Sequence, residues 1–218
     1  MTRKLIFSSA LMLLTGCAGT AHIPLSTNQA DQISGKSLVV VTHEKPSFGA
    51  ATATKAMFGA FGALAMVSEG NDIVTTNAIE DPSLDIGEEI AQSLATRYDL
   101  ATDAGPNISA TGDVDELARQ YADRDLVLFT QTRGWGFMYF PGDWDNYRVN
   151  LSMTVRLIDT DRRAVLAAAD CVYSPEYADS DQAPTHDQLL SNNAAGLKAE
   201  LKKGADYCAQ KLLRETFA

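Results

Sequence analysis

The sequence has few of the residues that usually carry metal or nucleophilic chemistry. Its 218 residues include three cysteines and three histidines, and the histidines (His22, His43 and His186) are far apart in the chain. There is no C-x-x-C pair and no spacing typical of metal ligands. It also lacks G-x-S-x-G, H-E-x-x-H, a phosphate-binding loop and a dinucleotide fingerprint. We therefore expect no metal, no cofactor and no enzymatic activity.

Basic residues are also scarce. The chain has 18 Lys and Arg against 28 Asp and Glu, which gives a formal net charge of -10. A strongly acidic chain repels phosphate backbones, so nucleic acid is excluded as an expected partner. The rest of the composition, 45% hydrophobic and 21% charged, is that of an ordinary globular protein long enough for one domain.

The apolar stretch near the amino terminus is too short to cross a membrane. It runs from Leu5 to Leu14, is interrupted by Ser8 and Ser9, and follows a basic pair of residues, Arg3 and Lys4. Ten helical residues span about 15 Å, roughly half of a bilayer core. The pattern therefore predicts a secretory signal peptide, residues 1–16, rather than a transmembrane helix.

The end of this signal, Leu14-Thr15-Gly16-Cys17, resembles the lipobox of bacterial lipoproteins. The resemblance implies cleavage before Cys17, a diacylglycerol on its thiol and an acyl chain such as palmitate on its new amino group. Several acyl chains hold a protein on a membrane without a spanning helix. Ala18 follows in place of the Asp of an inner-membrane retention signal. We therefore expect lipid anchoring at the outer membrane, facing the periplasm, with the inner membrane as the alternative.

The two remaining cysteines, Cys171 and Cys208, are predicted to form a disulfide. An oxidising periplasm favours bonded thiols, and no third partner remains once Cys17 is lipidated. Cys208 lies on the apolar face of a predicted helix, and Cys171 lies near the end of the preceding predicted strand. A helix laid on the sheet would bring them together.

The pattern of apolar residues predicts a polar tether followed by one folded domain. Residues 18–36 have no apolar period, so we expect a lipidated cysteine and flexible tether over residues 17–36 and a single domain over residues 37–218. Strands are predicted at 37–42, from 126, at 147–158 and at 164–173. Helices are predicted at 82–98, 113–121 and 185–216.

This order of elements predicts an α+β fold, with a mixed sheet that has a three-stranded antiparallel half, helices on one face and a long carboxyl-terminal helix. Over roughly residues 37–216 the order resembles the amino-terminal domain of the periplasmic protein TolB and the periplasmic part of the curli-secretion lipoprotein CsgG. That resemblance implies an envelope setting and no particular residue.

Residues 46–68 form a weakly charged segment in which Lys55 is the one charged residue. Thirteen uncharged helical residues, 56–68, span about 20 Å, too little for a membrane-spanning helix. Small residues at positions 59, 60, 62 and 63 would allow close helix contact. Three alternatives remain: a helix buried on the domain's own sheet, an oligomer or partner interface, and insertion into the membrane as a β-hairpin that each subunit of a ring contributes. The segment lacks the alternating runs of a barrel strand.

Residues 133–147 contain both tryptophans and four further aromatic residues beside the turn residues Pro141-Gly142-Asp143. Large rings at a surface connection are typical of binding sites, and Trp, Tyr and Arg dominate interface hot spots. The alternative is that the rings form a secondary core. We predict a partner-binding site for an envelope protein or a glycan, made of Arg133, Trp135, Phe137, Tyr139, Phe140, Trp144 and Tyr147.

The sequence thus predicts a lipid-anchored lipoprotein of the outer membrane that acts as a non-enzymatic binding or assembly module of the cell envelope. The alternative is an oligomeric export or pore component that uses residues 46–68. A hydrolase is a weaker third option. Self-association separates the first two, because only the pore component requires it.

Overall fold

The structure, a computed structural model, describes residues 21–103, 105 and 107–218. The predicted signal peptide and Cys17 lie outside these residues. In chain order the described elements are α1 (Thr27–Ile33), β1 (Ser37–His43), β2 (Phe48–Ala51), α2 (Ala53–Ala56), α3 (Gly59–Thr76), α4 (Pro82–Tyr98), β3 (Ala101–Thr102), β4 (Asn107–Ser109), α5 (Val114–Gln120), β5 (Leu126–Phe140), β6 (Asp143–Asp159), β7 (Ala164–Tyr173), a 3-10 turn (Ser180–Gln182) and α6 (His186–Glu215).

The strands form one mixed sheet in the order β3-β1-β5-β6-β7, in which β5, β6 and β7 make the predicted antiparallel half. Two short strands share one edge of β5. β1 pairs in parallel with Leu126–Thr130, and β2 pairs in parallel with Trp135–Met138. Along this edge of β5 there is a gap between β1 and β2.

The main core lies between the sheet and the long helices α3, α4 and α6, all on one face. Alternation along β1 directs Val40 to this core and Val39 to the other face, where the short helix α5 covers a smaller cluster through Leu117. The predicted α+β fold with helices on one face and a long carboxyl-terminal helix is confirmed. The α5 helix is the one short addition on the opposite side within the described chain.

Helix α4 has the bounds that its sequence pattern predicts. Asp81 caps its amino terminus by accepting a hydrogen bond from the Ser83 backbone N–H, and Pro82 occupies the first turn. Its apolar stripe, including Ile86 and Ile90, is buried. The helix ends at Asp99 in a left-handed conformation.

Helix α6 differs from the continuous helix predicted from Thr185 to Thr216. Thr185 caps it with Gln188 in a capping box, but the helix is broken at residues 191–194, and Asn192, Asn193 and Ala194 have positive φ. Beyond the break, Gly196 approaches the Gln188 carbonyl so closely that a Cβ would lie 2.1 Å from that oxygen. The first turn therefore folds back on the rest of the helix. Apolar spacing alone cannot reveal such a reversal.

Part of the predicted flexible tether is packed on the domain. Ile23 pairs with Ala168 of β7, and Leu25 and Ile33 are buried. Ser26 and Gln29 form a capping box for α1. The packed body therefore begins near residue 22 rather than at residue 37. The apolar residues here are too few and too irregular to show a period, although the capping box was a readable signal.

The predicted disulfide is present between β7 and α6. The Sγ atoms of Cys171 and Cys208 are 2.02 Å apart, and both side chains are fully buried in the main core. The bond joins the edge of the sheet to the helix that covers it.

Candidate functional site

Successive side chains of β5 point to opposite faces of the sheet, so the residues of the predicted aromatic binding site do not all lie on the same face. Trp135 and Phe137 point to the helix-covered face and are buried. The Trp135 Nε1–H donates to the Pro46 carbonyl at 2.9 Å, and its ring meets Phe48 edge-on at 5.1 Å. Both residues therefore belong to the core that joins β2 to β5.

Tyr147 on β6 is also buried, with its ring centroid 5.6 Å from those of Phe137 and His186. Burial raises the pKa of the Tyr147 hydroxyl. The prediction that Trp135, Phe137 and Tyr147 contact a partner is thus corrected. Strand β5 continues to Phe140, so residues predicted to lie in a surface connection alternate into the core.

The other members of the predicted site stay near the surface. Arg133 is exposed, and Tyr139 is half-buried against the core. The half-buried Phe140 lies under the Arg148 guanidinium at 5.2 Å and 5.9 Å from the Tyr177 ring. Burial raises the pKa of Tyr177 to about 12. These rings form a small aromatic cluster at the tip of the β5–β6 hairpin.

Trp144 projects from this tip with 60% of its surface exposed. The turn beneath it is braced by Asp143, which accepts hydrogen bonds from the Ser180 hydroxyl and from the Asn146 side chain at 2.8 Å. These bonds lower the pKa of the Asp143 carboxyl. The tip therefore presents one large ring from a rigid turn.

Among the residues that the structure describes, the largest run of exposed apolar side chains lies elsewhere, within residues 46–68. Helix α3 and the residues just before it carry five large apolar side chains that face outward, which we call the apolar helix surface: Met57 (75% exposed), Phe58 (66%), Phe61 (83%), Leu64 (71%) and Val67 (41%). Only β2 of this segment is packed in the core. The helical part of residues 46–68 is therefore neither a helix buried on the domain's own sheet nor a β-hairpin.

Close backbone contacts hold α3 on β2. A Cβ at Gly70 would lie 2.0 Å from the Phe48 carbonyl oxygen, and one at Gly62 would lie 1.8 Å from the Lys55 carbonyl oxygen. Such approaches are possible only for glycine. The Phe48 backbone N–H also donates to the Asn71 side chain at 3.0 Å. The helix is therefore fixed to β2 through Gly70 and Asn71, and to α2 through Gly62.

An ion pair adds to this support. The Lys55 Nζ lies 2.6 Å from the Glu69 carboxylate and donates to the Ala50 carbonyl at 3.2 Å. The ion pair thus links α3 to α2, and the hydrogen bond from Lys55 to Ala50 links α2 to β2. The sequence offered one signal for this, the eight-residue spacing of Gly62 and Gly70.

A buried polar cluster fills the break between β1 and β2. The Asp81 carboxylate accepts hydrogen bonds from the Thr132 hydroxyl and, at 2.9 Å, from the Ser83 N–H. Its other oxygen, Oδ2, and the Ser83 hydroxyl are buried without a hydrogen-bond partner among the described residues. A cleft of about 360 Å³ that includes His43 lies beside it. The Asp81 carboxylate thus caps α4 and joins it to β5 through Thr132.

The remaining candidates for chemistry do not converge. Within residues 21–103, 105 and 107–218, no three His, Cys, Asp or Glu side chains lie close enough together to hold a metal ion. His22 lies by Thr216, His43 bonds the Glu44 carbonyl, and His186 packs against aromatic rings of the core. No helix in the described part of the chain has the length and apolar character needed to span a membrane.

No family model matches the chain, and no curated protein is similar to it in sequence. Several solved structures are similar in shape. The PelC dodecamer from Paraburkholderia phytofirmans is 14% identical over 90% of this chain and 94% of that chain, with a TM-score of 0.37. A DUF330 protein from Xanthomonas campestris is 9% identical over 89% and 86%, with a TM-score of 0.40. The lipoprotein GNA1162 from Neisseria meningitidis is 12% identical over 66% and 89%, with a TM-score of 0.26.

One of these similar structures is a lipoprotein, but the identities and TM-scores are too low to transfer any residue, ligand, location or activity. The resemblance to TolB and CsgG stays a prediction.

Proposed function

We propose that the protein is a lipid-anchored, non-enzymatic envelope module that binds another envelope component through the apolar helix surface. One observation carries this proposal: five large apolar side chains are exposed on α3 and on the two residues just before it, and α3 is fixed to the sheet. Isolated exposed apolar residues need no explanation, but a contiguous group marks an interaction site.

The size of the surface supports a binding role. Each phenylalanine has about 200 Å² to bury, so Phe58 and Phe61 at their exposures contribute about 300 Å². The largest patch on a typical monomer is about 300–600 Å². Met57, Leu64 and Val67 add to the two rings, so leaving the whole surface in water would be costly.

The expected anchor would keep this surface near the membrane. Ile23 is fixed to β7 by backbone hydrogen bonds to Ala168. Ile23 is six positions after Cys17, and an extended chain of that length spans about 21 Å at most. Acylation of Cys17 would therefore hold the folded domain close to the lipid, where other envelope proteins are concentrated.

The hairpin tip is the second candidate contact. Trp144 is the exposed ring of the aromatic site that the sequence predicts, and the turn braced by Asp143 presents it with little loss of conformational entropy on binding. Its contact area is smaller than that of the apolar helix surface. We therefore rank it second.

Photocrosslinking in intact cells tests the proposal. A benzophenone amino acid is placed at Phe61, at Trp144 or at Asp123, a control whose side chain is 73% exposed away from both surfaces. We expect one discrete adduct from position 61 and none from position 123. Adducts from position 144 alone would move the function to the hairpin tip. If neither aromatic position gives an adduct, the binding proposal is wrong.

The anchor is tested in the same cells. Labelled palmitate should be incorporated into the parent protein and not into Cys17→Ser. The Cys17→Ser protein should leave the membrane fraction and lose the adduct at position 61. A labelled Cys17→Ser protein would contradict lipidation at this residue.

A further inference from the structure

We infer that the occupant of the apolar helix surface is the same surface of a second copy of this chain. The inference rests on the proposed function, because it names the partner of the same surface. It commits to an isologous contact, in which two copies meet about a two-fold axis and each residue faces the equivalent region of its partner.

The distribution of charge favours a second copy. The chain has ten more acidic than basic residues, so most of its surface repels another copy. In an isologous contact, like charges near the axis face each other, which is unfavourable wherever the surface is charged. Residues 56–68 carry no charge at all. Two copies can therefore meet at this segment without opposing their acidic side chains.

The shape of α3 also suits a helix-to-helix contact. Large and small residues alternate around its exposed side, with Phe61 and Leu64 next to Ala60 and Ala63. The large side chains of one helix can enter the spaces above the small residues of the other. The small residues also allow the two backbones to approach closely.

The exposed area supplies a large part of what a pair of copies needs. A stable interface buries about 800 Å² on each partner. The two phenylalanines provide about 300 Å², and the three other members of the surface and the alanines between them extend it. Because α3 is already fixed to β2, little conformational freedom remains to be lost on association.

A lipid bilayer fits this surface less well. Helices that lie in the membrane interface usually carry Lys and Arg on the polar face, where they attract anionic headgroups. Here the nearest basic residue, Lys55, is paired with Glu69, and the exposed Asp72 follows on the same helix. The polar part of α3 would repel anionic lipid.

Co-purification of two tagged copies tests the inference on the full-length, lipidated protein. Two versions with different tags are expressed in the same cells, and one is captured after detergent extraction. We expect the second tag to be recovered with the parent protein. Recovery should fall at least tenfold when both copies carry Phe61→Asp and Leu64→Asp. The matched control is Val172→Asp, which places the same charge on a residue of β7 that is 61% exposed.

A cysteine scan locates the contact without detergent. Met57, Phe61, Leu64 and Val67 are replaced one at a time by Cys, and oxidised cell extracts are run on non-reducing gels. Cys171 and Cys208 are bonded to each other, so they do not compete for the new thiol. At least one of the four variants should give a disulfide-linked dimer, whereas Val172→Cys should remain a monomer.

The outcomes separate this inference from the proposed function. If the tags do not co-purify and no cysteine dimer forms, but position 61 crosslinks to a different protein, the second-copy inference is wrong and the binding function stands. Crosslinking of position 61 to lipid alone would refute both. Co-purification that survives Phe61→Asp with Leu64→Asp would place self-association elsewhere and overturn the inference. Phe61 and Leu64 are exposed, so the aspartate variants should keep the parent's thermal unfolding midpoint when both are measured at a concentration at which the parent is monomeric.

Discussion

Removing the disulfide by replacing Cys171 and Cys208 with alanine should greatly destabilise the folded protein. The bond links β7, an edge strand, to α6, the helix that covers the sheet, and its sulfur atoms are fully buried. Without it, the unfolded chain gains freedom that the bonded chain does not have. The native structure itself should change little, because both segments remain packed through their other side chains.

The magnitude follows from the length of the closed loop. The two cysteines are separated by 37 residues. For a loop of that size, the chain-entropy relation gives a stabilisation of about 4 kcal/mol at 25 °C. For a protein of this size, each kcal/mol lowers the melting temperature by about 2–4 °C. The double variant should therefore melt about 8–16 °C below the parent.

Chemical denaturation of the purified protein, followed by the fluorescence of its two tryptophans, measures this difference. The comparison needs one fixed protein concentration, because self-association would itself add to stability. A reducing agent should lower the parent's midpoint to that of the double variant and leave the variant unchanged. If the oxidised parent and the variant differ by less than about 1 kcal/mol, the loop-closure reasoning fails for this bond.

Three further predictions follow from single contacts. Gly70→Ala should lower the free energy of unfolding by about 1–3 kcal/mol in denaturant titrations, because the new Cβ would overlap the Phe48 carbonyl oxygen; an unchanged midpoint would mean that α3 is not held there. Asp81→Ala should cost about 2–4 kcal/mol in the same assay, since it removes the cap of α4 and the acceptor of the Thr132 hydroxyl. Burial raises the pKa of Tyr177 from its usual 10.0 to about 12 in the folded protein. The neutral Tyr177 side chain therefore contributes fully to the free energy of unfolding below pH 10, and this contribution is lost as the pH rises toward 12. Replacing Tyr177 by Phe should remove one tyrosine from the ultraviolet titration near pH 12, and an unchanged curve would contradict the shift.

Local patterns predicted those parts of the fold that depend on neighbouring residues. Asp81 and Pro82 mark the start of α4, and the alternation from Tyr147 marks most of β6. The disulfide could also be predicted, because an apolar helix face and a strand end brought Cys171 and Cys208 together. Each of these signals lies within a single element or joins two neighbouring ones.

Other features depend on residues that are distant in sequence. Phe48 pairs with Trp135 across 87 positions, and nothing near either residue identifies its partner. That pairing covers β5 from Trp135 to Met138 and buries rings that the local pattern placed at the surface, while pairing with β6 continues the strand to Phe140. Glycines on alternate positions, Gly134 and Gly136, are consistent with a strand, but turn-rich sequence just after them favoured a connection.

Composition alone could not assign residues 46–68, because a buried helix and an interface helix are both uncharged. The structure separates the two by which side of α3 faces the sheet. A helix that completes its own core directs large side chains inward and small ones outward. Here the residues against β2 and α2 are Gly62 and Gly70, while Phe61 and Leu64 face away. No other described residue covers these large side chains, which agrees with the contact between two copies that we propose for α3.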